Sequence, residues 1–438
     1  MTIDITLLSW YFIIFCASYN AIFLFLHLLL VRYPGLLKSR VDRDGQSPPG
    51  RQIDYLTILV PARDEALVIR DTVCSLICAL EVQVTKHQYE IVVIDDASED
   101  DTLRELKQLQ KVFPDQLLIC ERHPPQCREG KGEALNAGLK LLGKRFPGRD
   151  SARWIVGVFD ADANCQSDIF VKVVSKFENQ NIDAIQCAVH ISNTASKWLP
   201  ILQDIEFLSF AGVMQPVRNA VSGAVMLGGN AQFSTMEALE GVQEQGVEAW
   251  NPLALTEDLD LALRLHCKGA RISFCPSYVN QQGLETMGAL MRQRLRWGWG
   301  IVQVFVWYLL KKSNLWASSI PWYRKVDIVY YLSFWFVPLL VLLSWALSIA
   351  ALLTPLEIHN SFNPWLLILI SFSYLPIFAI GVYGKYPLRR PRTWFLLLVA
   401  VFYTYHWIPA VMYGLLAVLF RRTPVWNKTA RIVPAQSS

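Results

Sequence analysis

Residues 7–31 contain no Asp, Glu, Lys or Arg and form a run long enough to cross a bilayer as one helix. The run lacks the basic start and the small-residue cleavage site of a signal peptide, so we interpret residues 1–32 as an uncleaved transmembrane anchor. No Lys or Arg precedes it, whereas Arg32 and Lys38 open a basic stretch after it. Because basic flanks stay inside, the chain that follows is predicted to be cytoplasmic.

The overall composition indicates that part of the chain lies in lipid. Apolar residues make up 53% of the sequence and charged residues only 18%. In soluble domains about a quarter of all residues are charged. The net charge of +4 is too small to indicate a nucleic-acid partner. The 9 cysteines include no C-x-x-C pair, which favours reduced thiols in the cytosol over a zinc site.

Residues 53–297 have the pattern of an α/β domain, in which short β-branched runs alternate with segments of helical periodicity. This alternation predicts a mainly parallel sheet flanked by helices, with ligands bound beyond the carboxyl ends of the strands. The predicted strands are 56–60, 90–94, 117–120, 154–160, 184–189 and 271–274. The predicted helices are 65–80, 101–113, 132–142, 168–178 and 257–268.

The chain becomes apolar again after this domain. Residues 298–325 are rich in Trp and Tyr and are predicted to form an amphipathic segment in the membrane interface. Residues 326–422 contain three longer apolar runs, at 328–353, 365–382 and 394–420, which predict about three C-terminal transmembrane helices before a polar tail at 423–438. The last run contains His406 and Pro409. It is either a span that breaks the positive-inside rule or a kinked, re-entrant segment.

Acidic residues gather where the predicted strands end. Glu65 follows the first strand, Asp95 and Asp96 end the second, and Asp160 and Asp162 form a D-x-D after the fourth. Two such carboxylates can share Mg²⁺ or Mn²⁺, which would neutralise a diphosphate. A capped helix start would also explain Glu65, whereas a helix N-cap needs only one of Asp95 and Asp96. The D-x-D is a weak signal when taken alone.

Three further elements carry candidate chemistry. Lys131 stands between two glycines at a helix start, where an ammonium and backbone N–H groups suit a phosphate. Glu257 and Asp258 open a helix after Thr256, and a carboxylate there could act as a general base or merely complement the helix dipole. Gln293, Arg296 and Trp297 precede the membrane segment. There, Arg296 could bind a leaving phosphate and Trp297 could stack on a sugar, or the group could be an interface anchor.

The order and spacing of these clusters resemble the membrane-embedded family 2 glycosyltransferases of GT-A type. That group includes cellulose, hyaluronan and poly-N-acetylglucosamine synthases and glucosyl-diacylglycerol synthases. The resemblance covers residues 56–297 and includes the acidic pair, the KGEALNAG segment at 131–138, the D-x-D, the T-E-D at 256–258 and Q-x-x-R-W at 293–297. It implies that this chain is an integral protein of the plasma or inner membrane and that residues 53–297 form its cytosolic GT-A-like domain.

The resemblance also implies roles for individual residues. The donor, a UDP-sugar, is expected to be bound by Glu65, Asp95, Asp96, Lys131, Asp160 and Arg296. The metal, Mg²⁺ or Mn²⁺, is expected at Asp160 and Asp162, and Asp258 is expected to deprotonate the acceptor. The acceptor is expected to contact Gln232, Glu257, Gln293 and Trp297.

The predicted reaction is an inverting transfer of a hexose, glucose or N-acetylglucosamine, that forms a β-linkage. Four predicted spans make a narrow channel, which favours either a lipid acceptor such as diacylglycerol or a polysaccharide synthase with a partner subunit, and we prefer the lipid acceptor. The alternative is a processive β-polysaccharide synthase that extrudes its glycan, with or without a partner subunit. A non-catalytic subunit that binds a nucleotide-sugar would have lost a catalytic carboxylate, and none is lost here.

Overall fold

A computed structural model describes residues 5–32, 50–84, 86–165, 168–195, 197–244, 247–311, 314–353, 368 and 371–422. The predicted polar tail at 423–438 lies outside the described residues, as do the basic stretch at 33–49 and the first part of the apolar run at 365–382. The predicted domain boundaries remain predictions.

Eight strands form one mixed sheet. They are β1 (Tyr55–Ala62), β2 (Gln88–Asp95), β3 (Leu117–Glu121), β4 (Trp154–Val158), β5 (Asn164–Cys165), β6 (Ala184–Ile191), β7 (Gln232–Thr235) and β8 (Ile272–Gln281). Their order is β3-β2-β1-β4-β7-β6-β8-β5. Strands β1 to β4 are mutually parallel where they pair, but β7 runs antiparallel to both β4 and β6, and β5 antiparallel to β8.

The predicted α/β fold is therefore confirmed, and the sheet is mixed, with parallel pairings between β1 and β2, β1 and β4, β2 and β3, and β6 and β8. All six predicted strands are present, and the two additional strands, β5 and β7, supply the antiparallel pairings. Along β2 the buried residues alternate between the two faces of the sheet. Val92 and Ile94 join one apolar cluster and Ile91 and Val93 the other. A strand that is buried on both faces is apolar at nearly every position, which explains why the sequence predicts a strand such as β2.

Helices cover both faces of the sheet. They are α2 (Ile69–Gln83), α3 (Thr102–Val112), α4 (Lys131–Arg145), α5 (Ile169–Asn179), α6 (Trp198–Ser209), α7 (Gln215–Val221), α8 (Met236–Gly241) and α9 (Glu257–Cys267). The five predicted helices are all present, whereas α6 to α8 were not predicted. A π-helical turn at Phe210–Met214 joins α6 to α7.

The remaining helices precede and follow the α/β domain. They are α1 (Ile5–Arg32), α10 (Met287–Phe305), α11 (Asn314–Ala317), α12 (Trp322–Phe334), α13 (Val337–Leu353), α14 (Leu375–Gly381), α15 (Pro391–Tyr403) and α16 (Trp407–Leu419). The predicted interfacial segment at 298–325 thus begins inside α10, which starts eleven residues before it.

Among the described residues, one continuous helical stretch, Pro391–Leu419, is long and apolar enough to cross a bilayer. Helix α12 and residues 337–346 of α13 meet the same criterion together, but they are bent by 56° at the break between them. In α1 the apolar stretch among the described side chains, Ala17–Leu29, is shorter than a span. The predicted set of one N-terminal and about three C-terminal spans is therefore not confirmed.

Candidate active site

The carboxyl ends of β1, β2 and β4 open into a cavity of about 430 Å³. Parallel strands bring these ends to one edge of the sheet, and the register places Ala62 of β1 beside Asp95 of β2. Nine of the twelve predicted site residues line this cavity: Glu65, Asp96, Lys131, Asp160, Glu257, Asp258, Gln293, Arg296 and Trp297. Residues predicted from separate motifs thus share one space.

Asp96 is held in position by two arginines. Its Oδ1 accepts hydrogen bonds from the Arg122 guanidinium and, at 2.9 Å, from the backbone N–H of Arg128. The neighbouring Asp95 is buried and does not line the cavity. Burial raises the pKa of the Asp95 carboxyl, and its Oδ1 has no hydrogen-bond partner among the described residues. Asp96 is therefore the member of the pair that faces a ligand.

Glu65 lies in the tight turn between β1 and α2. Its backbone N–H donates to Thr102 Oγ1 at 2.7 Å, and its carbonyl oxygen accepts from the N–H groups of Val68 and Ile69. The preceding residue, Asp64, has a φ of 51°, the left-handed conformation that aspartate tolerates better than most residues. The turn therefore fixes the backbone of Glu65 at the cavity wall.

Lys131 connects the D-x-D after β4 to the loop at Gly229. Its Nζ donates to Asp160 Oδ1 at 2.6 Å and to the carbonyl oxygen of Gly229 at 2.9 Å. Burial lowers the pKa of Lys131, but the carboxylates of Asp160, Glu257 and Asp258 outweigh this effect, and the net shift is upward. Lys131 is thus a permanent cation among three carboxylates.

Gly229 makes the close approach of these groups possible. Its φ is +75°, and a Cβ at this position would lie 2.9 Å from Asp258 Oδ2 and 3.4 Å from Lys131 Nζ. Any side chain at this position would enter the space between the Asp258 carboxylate and the Lys131 ammonium group. Asn230, the next residue, accepts from the N–H of Asp160 at 3.2 Å and donates to Gln281 Oε1 at 2.9 Å, which holds the glycine loop in place.

Asp258 lies at the start of α9, and its pKa is raised well above the usual value of an aspartate. Burial and the neighbouring Glu257 carboxylate raise its pKa to about 7, against the lowering influence of Lys131 and Arg296. Its Oδ1 accepts from the backbone N–H of Leu259 at 2.8 Å. A carboxylate with a pKa near neutrality suits a general base, because it can both take up and release a proton at physiological pH.

Glycines fix α10, which carries Arg296 and Trp297, against both the catalytic helix and a C-terminal helix. A Cβ on Gly300 would lie 2.6 Å from Thr256 Cγ2, and a Cβ on Gly298 would lie 2.5 Å from backbone atoms of Ala410 in α16. Burial lowers the pKa of Arg296, and Glu257, Asp258 and Asp160 act to raise it. The guanidinium therefore lies in the field of the catalytic carboxylates. The sequence reasoning did not single out these glycines.

A second missed feature is an ion pair beside the cavity. Arg294, 1% exposed, donates from Nη2 to Glu206 Oε2 at 2.6 Å. The same carboxylate accepts from Tyr403 Oη at 3.2 Å and from Trp407 Nε1 at 3.1 Å. Glu206 thus connects α6 of the catalytic domain to α10, α15 and α16. A signal was present in the sequence, because Arg294 lies inside the Q-x-x-R-W motif.

The predicted metal pair, Asp160 and Asp162, follows β4. Asp162 does not line the cavity, and its Oδ2 accepts from the N–H of Gln282 at 3.2 Å. No group of three or more His, Cys, Asp or Glu is arranged to hold a metal within the described ranges. Two carboxylates suffice, however, for Mg²⁺ or Mn²⁺ that also binds phosphate oxygens. The donor set fits a cation that arrives with a diphosphate.

Two other motif positions have structural explanations. Asn136 donates from Nδ2 to the carbonyl oxygen of Trp250 at 2.7 Å and accepts from its N–H at 3.0 Å, so it pairs with the backbone as a neighbouring strand would. Gln232 is buried in β7 and does not line the cavity. The acceptor role predicted for Gln232 stays a prediction, as do the roles of Asp95 and Asp162.

Beyond Trp297 the same cavity continues as an apolar arm between α6, the π-helical turn and the C-terminal helices. We use "apolar arm" for the part of the cavity lined by Phe210, Met214, Phe334, Trp335, Ile377 and Phe378. Glu206 and Trp407 lie where the arm meets the polar part of the cavity. One continuous space therefore joins the carboxylates at the strand ends to side chains of the apolar C-terminal helices.

A mixed sheet with acidic residues at its strand ends is the architecture of GT-A glycosyltransferases. A mannosyltransferase from Pyrobaculum calidifontis, solved with GDP-Man and Mn²⁺, superimposes with a TM-score of 0.51 at 18% identity, covering 93% of this chain and 99% of that one. This likeness shows the fold. Residues 53–300 match the family described as glycosyltransferase like family 2, so the chain belongs to that family.

Two relatives differ in the acceptors that their names imply. A β-monoglucosyldiacylglycerol synthase from Trichormus variabilis is 34% identical over 267 residues, 60% of this chain and 53% of that protein. A poly-β-1,6-N-acetyl-D-glucosamine synthase from Staphylococcus epidermidis is 24% identical over 297 residues, 65% of this chain and 66% of that protein. The chain spans about half the length of the first relative. The predicted class of enzyme, a family 2 glycosyltransferase, is confirmed.

Proposed function

We propose that this glycosyltransferase moves a hexose, glucose or N-acetylglucosamine, from a UDP-sugar to the hydroxyl of a membrane lipid such as diacylglycerol. The observation that carries this proposal is the continuity of the polar cavity with the apolar arm. Acyl chains suit such an arm, because apolar surface removed from water stabilises binding. The name of the Trichormus relative points to the same class of acceptor.

The residues of the cavity suit an inverting displacement. Asp258, with its pKa near 7, accepts the proton of the acceptor hydroxyl as that oxygen attacks the anomeric carbon. Lys131 and Arg296 lie close enough to influence the charge on Asp258, and they stabilise the negative charge that develops on the leaving UDP. Attack from the side opposite UDP turns an α-linked donor into a β-linked product.

The donor is held at the strand ends. Asp96 and Glu65 line the cavity and accept hydrogen bonds from the uridine, with Asp96 kept in orientation by Arg122. A divalent cation at Asp160 and Asp162, when bound, neutralises the charge of the diphosphate. Lys131 holds Asp160 in place at 2.6 Å whether or not a nucleotide is present.

The proposal places the enzyme in the plasma or inner membrane, with its catalytic domain in the cytoplasm. The stretch Pro391–Leu419 and the bent pair of α12 and α13 are the apolar helices that support it. Helix α16 packs against α10 through Gly298, so the membrane-embedded part and the Q-x-x-R-W helix are built as one unit. A lipid could then reach Asp258 from the bilayer.

A polysaccharide synthase is the second candidate, and the Staphylococcus relative favours it. Such an enzyme would pass a hydrated glycan, with or without a partner subunit, through a path lined by polar groups. The arm is lined by the apolar side chains of Phe334, Ile377 and Phe378. These side chains cannot form hydrogen bonds with the hydroxyl groups of a glycan, which disfavours a glycan in the arm.

The deciding experiment incubates membranes that contain the protein with radiolabelled UDP-glucose or UDP-N-acetylglucosamine and Mg²⁺ or Mn²⁺, followed by chloroform–methanol partition. Label in the organic phase that migrates as a small glycolipid is expected and also identifies the sugar. Label in an insoluble fraction of high molecular mass would replace the proposal with a polysaccharide synthase. Membranes with Asp258→Asn are the matched control and should give neither product.

A further inference from the structure

Tyr331 lines the cavity beside the apolar arm, where its ring contacts Phe210 and Trp335. The residue lines the cavity from α12, and no hydrogen bond to its hydroxyl is found within the part of the chain that the structure describes. A phenol that lines a cavity without a protein partner can donate its hydrogen bond to water or to a molecule bound there. The hydroxyl is therefore available to a molecule that occupies the arm.

The ring of Tyr331 is held in a fixed position. The guanidinium carbon of Arg218 lies 4.5 Å from its centroid, and the rings of Phe210 and Trp335 lie 6.2 and 6.1 Å away. Arg218, itself 1% exposed, is anchored by Asp327, whose carboxylate lies 3.4 Å from Arg218 Nε. A cation over one face and aromatic neighbours restrain the ring, so its hydroxyl has a defined direction.

Two other hydroxyls near the arm, those of Ser209 and Thr404, are already engaged. Ser209 Oγ donates to the carbonyl oxygen of Ile205 at 2.6 Å, and Thr404 Oγ1 donates to that of Val401 at 2.6 Å. These bonds are local helix bonds that leave little donor capacity for a ligand. Neither Ser209 nor Thr404 therefore competes with Tyr331 as a donor to a ligand in the arm.

Tyr331 lines the same cavity as Asp258. The charges of Arg218 and Asp258 both act electrostatically on its phenol. An acceptor whose free hydroxyl meets Asp258 would bring its next polar group toward Tyr331. In a diacylglycerol that next group is an ester, whose carbonyl oxygen accepts hydrogen bonds.

We propose that Tyr331 donates a hydrogen bond to an ester carbonyl oxygen of the lipid acceptor and so selects glycerolipids with an ester beside their free hydroxyl. The inference rests on the proposed lipid acceptor and adds the chemical feature by which that lipid is recognised. Tyr331 is a positioning residue, since it contacts the acceptor away from the bond that forms.

The test compares dioleoylglycerol with its diether analogue, which keeps the free hydroxyl and the chains but lacks both carbonyl groups. The wild-type enzyme should show a KM about tenfold lower for the diester, the value of one hydrogen bond, with similar kcat for both. Tyr331→Phe should raise the KM for the diester about tenfold and leave the KM for the diether and the kcat unchanged.

The matched control is Tyr330→Phe, which removes a hydroxyl one residue away. Tyr330 donates to Asn20 Oδ1 and does not line the cavity, so this variant should keep the preference for the diester. Unaltered binding of UDP-glucose to Tyr331→Phe would show that the variant is folded.

Two results would overturn the inference while leaving the proposed function intact. One is a wild-type enzyme that uses diester and diether equally well. The other is a Tyr331→Phe enzyme that retains the preference for the diester. A wild-type enzyme that transfers sugar to no lipid would instead refute the proposed function, and the inference with it.

Discussion

The charges around Asp258 make the pH dependence of sugar transfer a direct test of its role. Burial and Glu257 raise the pKa of Asp258 to about 7. Because a general base acts in its deprotonated form, transfer should fall as the pH drops through this value. The active fraction is about one half at the pKa and about one tenth one pH unit below it. We expect kcat/KM to decline tenfold per pH unit on the acid side.

Two variants should move the midpoint of this decline in opposite directions. Glu257→Gln removes a negative charge that raises the pKa of Asp258, so its midpoint should shift to lower pH. Lys131→Gln removes a positive charge that lowers the pKa, so its midpoint should shift to higher pH. A charged partner at this range moves a pKa by about one unit or more, so the two variants should differ by about two units.

The assay measures initial rates of labelled sugar transfer to detergent-solubilised lipid across the pH range, with kcat/KM fitted at each pH. Lys140→Gln is the matched control, because Lys140 lies on the same helix as Lys131 but forms an exposed ion pair with Glu248. Its midpoint should equal that of the wild type. Midpoints that coincide in Glu257→Gln and Lys131→Gln, or that move in the same direction, would remove Asp258 from the role of base.

Three further changes test other parts of the structure. Gly300→Ala should destabilise the fold by about 2 kcal/mol, because its Cβ would lie 2.6 Å from Thr256 Cγ2, and thermal unfolding measures the effect. Glu206→Gln should cost about 3 kcal/mol by leaving the buried Arg294 cation without its carboxylate, as a lower denaturation midpoint would show. Chelation with EDTA should reduce transfer at least about a hundredfold, and added Mn²⁺ or Mg²⁺ should restore it.

Each of these expectations has a contrary result. An unchanged melting temperature for Gly300→Ala would mean that α10 can move away from α9 without loss. Full stability of Glu206→Gln would mean that the hydrogen bonds from Tyr403 and Trp407, and not the ion pair with Arg294, account for the stability that residue 206 provides. Undiminished transfer in excess EDTA would show that Asp160 and Asp162 bind no metal that matters for the reaction.

The parallel half of the sheet could be predicted because the central parts of β1, β2 and β4 are buried on both faces and therefore read as apolar runs. Strand β7 could not, since its four residues, Gln232–Thr235, are mostly polar and yet all buried. Their partners come from β4 and β6, which are distant in the chain. The two-residue strand β5 is defined entirely by its pairing with β8. Short strands of this kind depend on tertiary contacts that local sequence does not encode.

The site could be predicted where its chemistry is local to a motif. Carboxylates directly after apolar strands had to meet at one edge of a parallel sheet, and Glu65, Asp96 and Asp160 do so. The Arg294–Glu206 pair could not be found in this way, because the two residues are 88 positions apart and Glu206 lies in a helix that was not predicted.

Helix α10 gives a physical reason for the compactness of the Q-x-x-R-W motif. Arg296 lies in the field of the Glu257, Asp258 and Asp160 carboxylates, while Arg294, two residues earlier, is tied through Glu206 to the C-terminal helices. Gly298 and Gly300 remove the side chains that would separate this helix from α16 on one side and from the start of α9 on the other. A displacement of the C-terminal helices would therefore move Arg296 relative to Asp258. In the proposed reaction, the helices that admit the lipid would then also set the position of the cation that stabilises the leaving group, so that donor and acceptor are aligned by one rigid element.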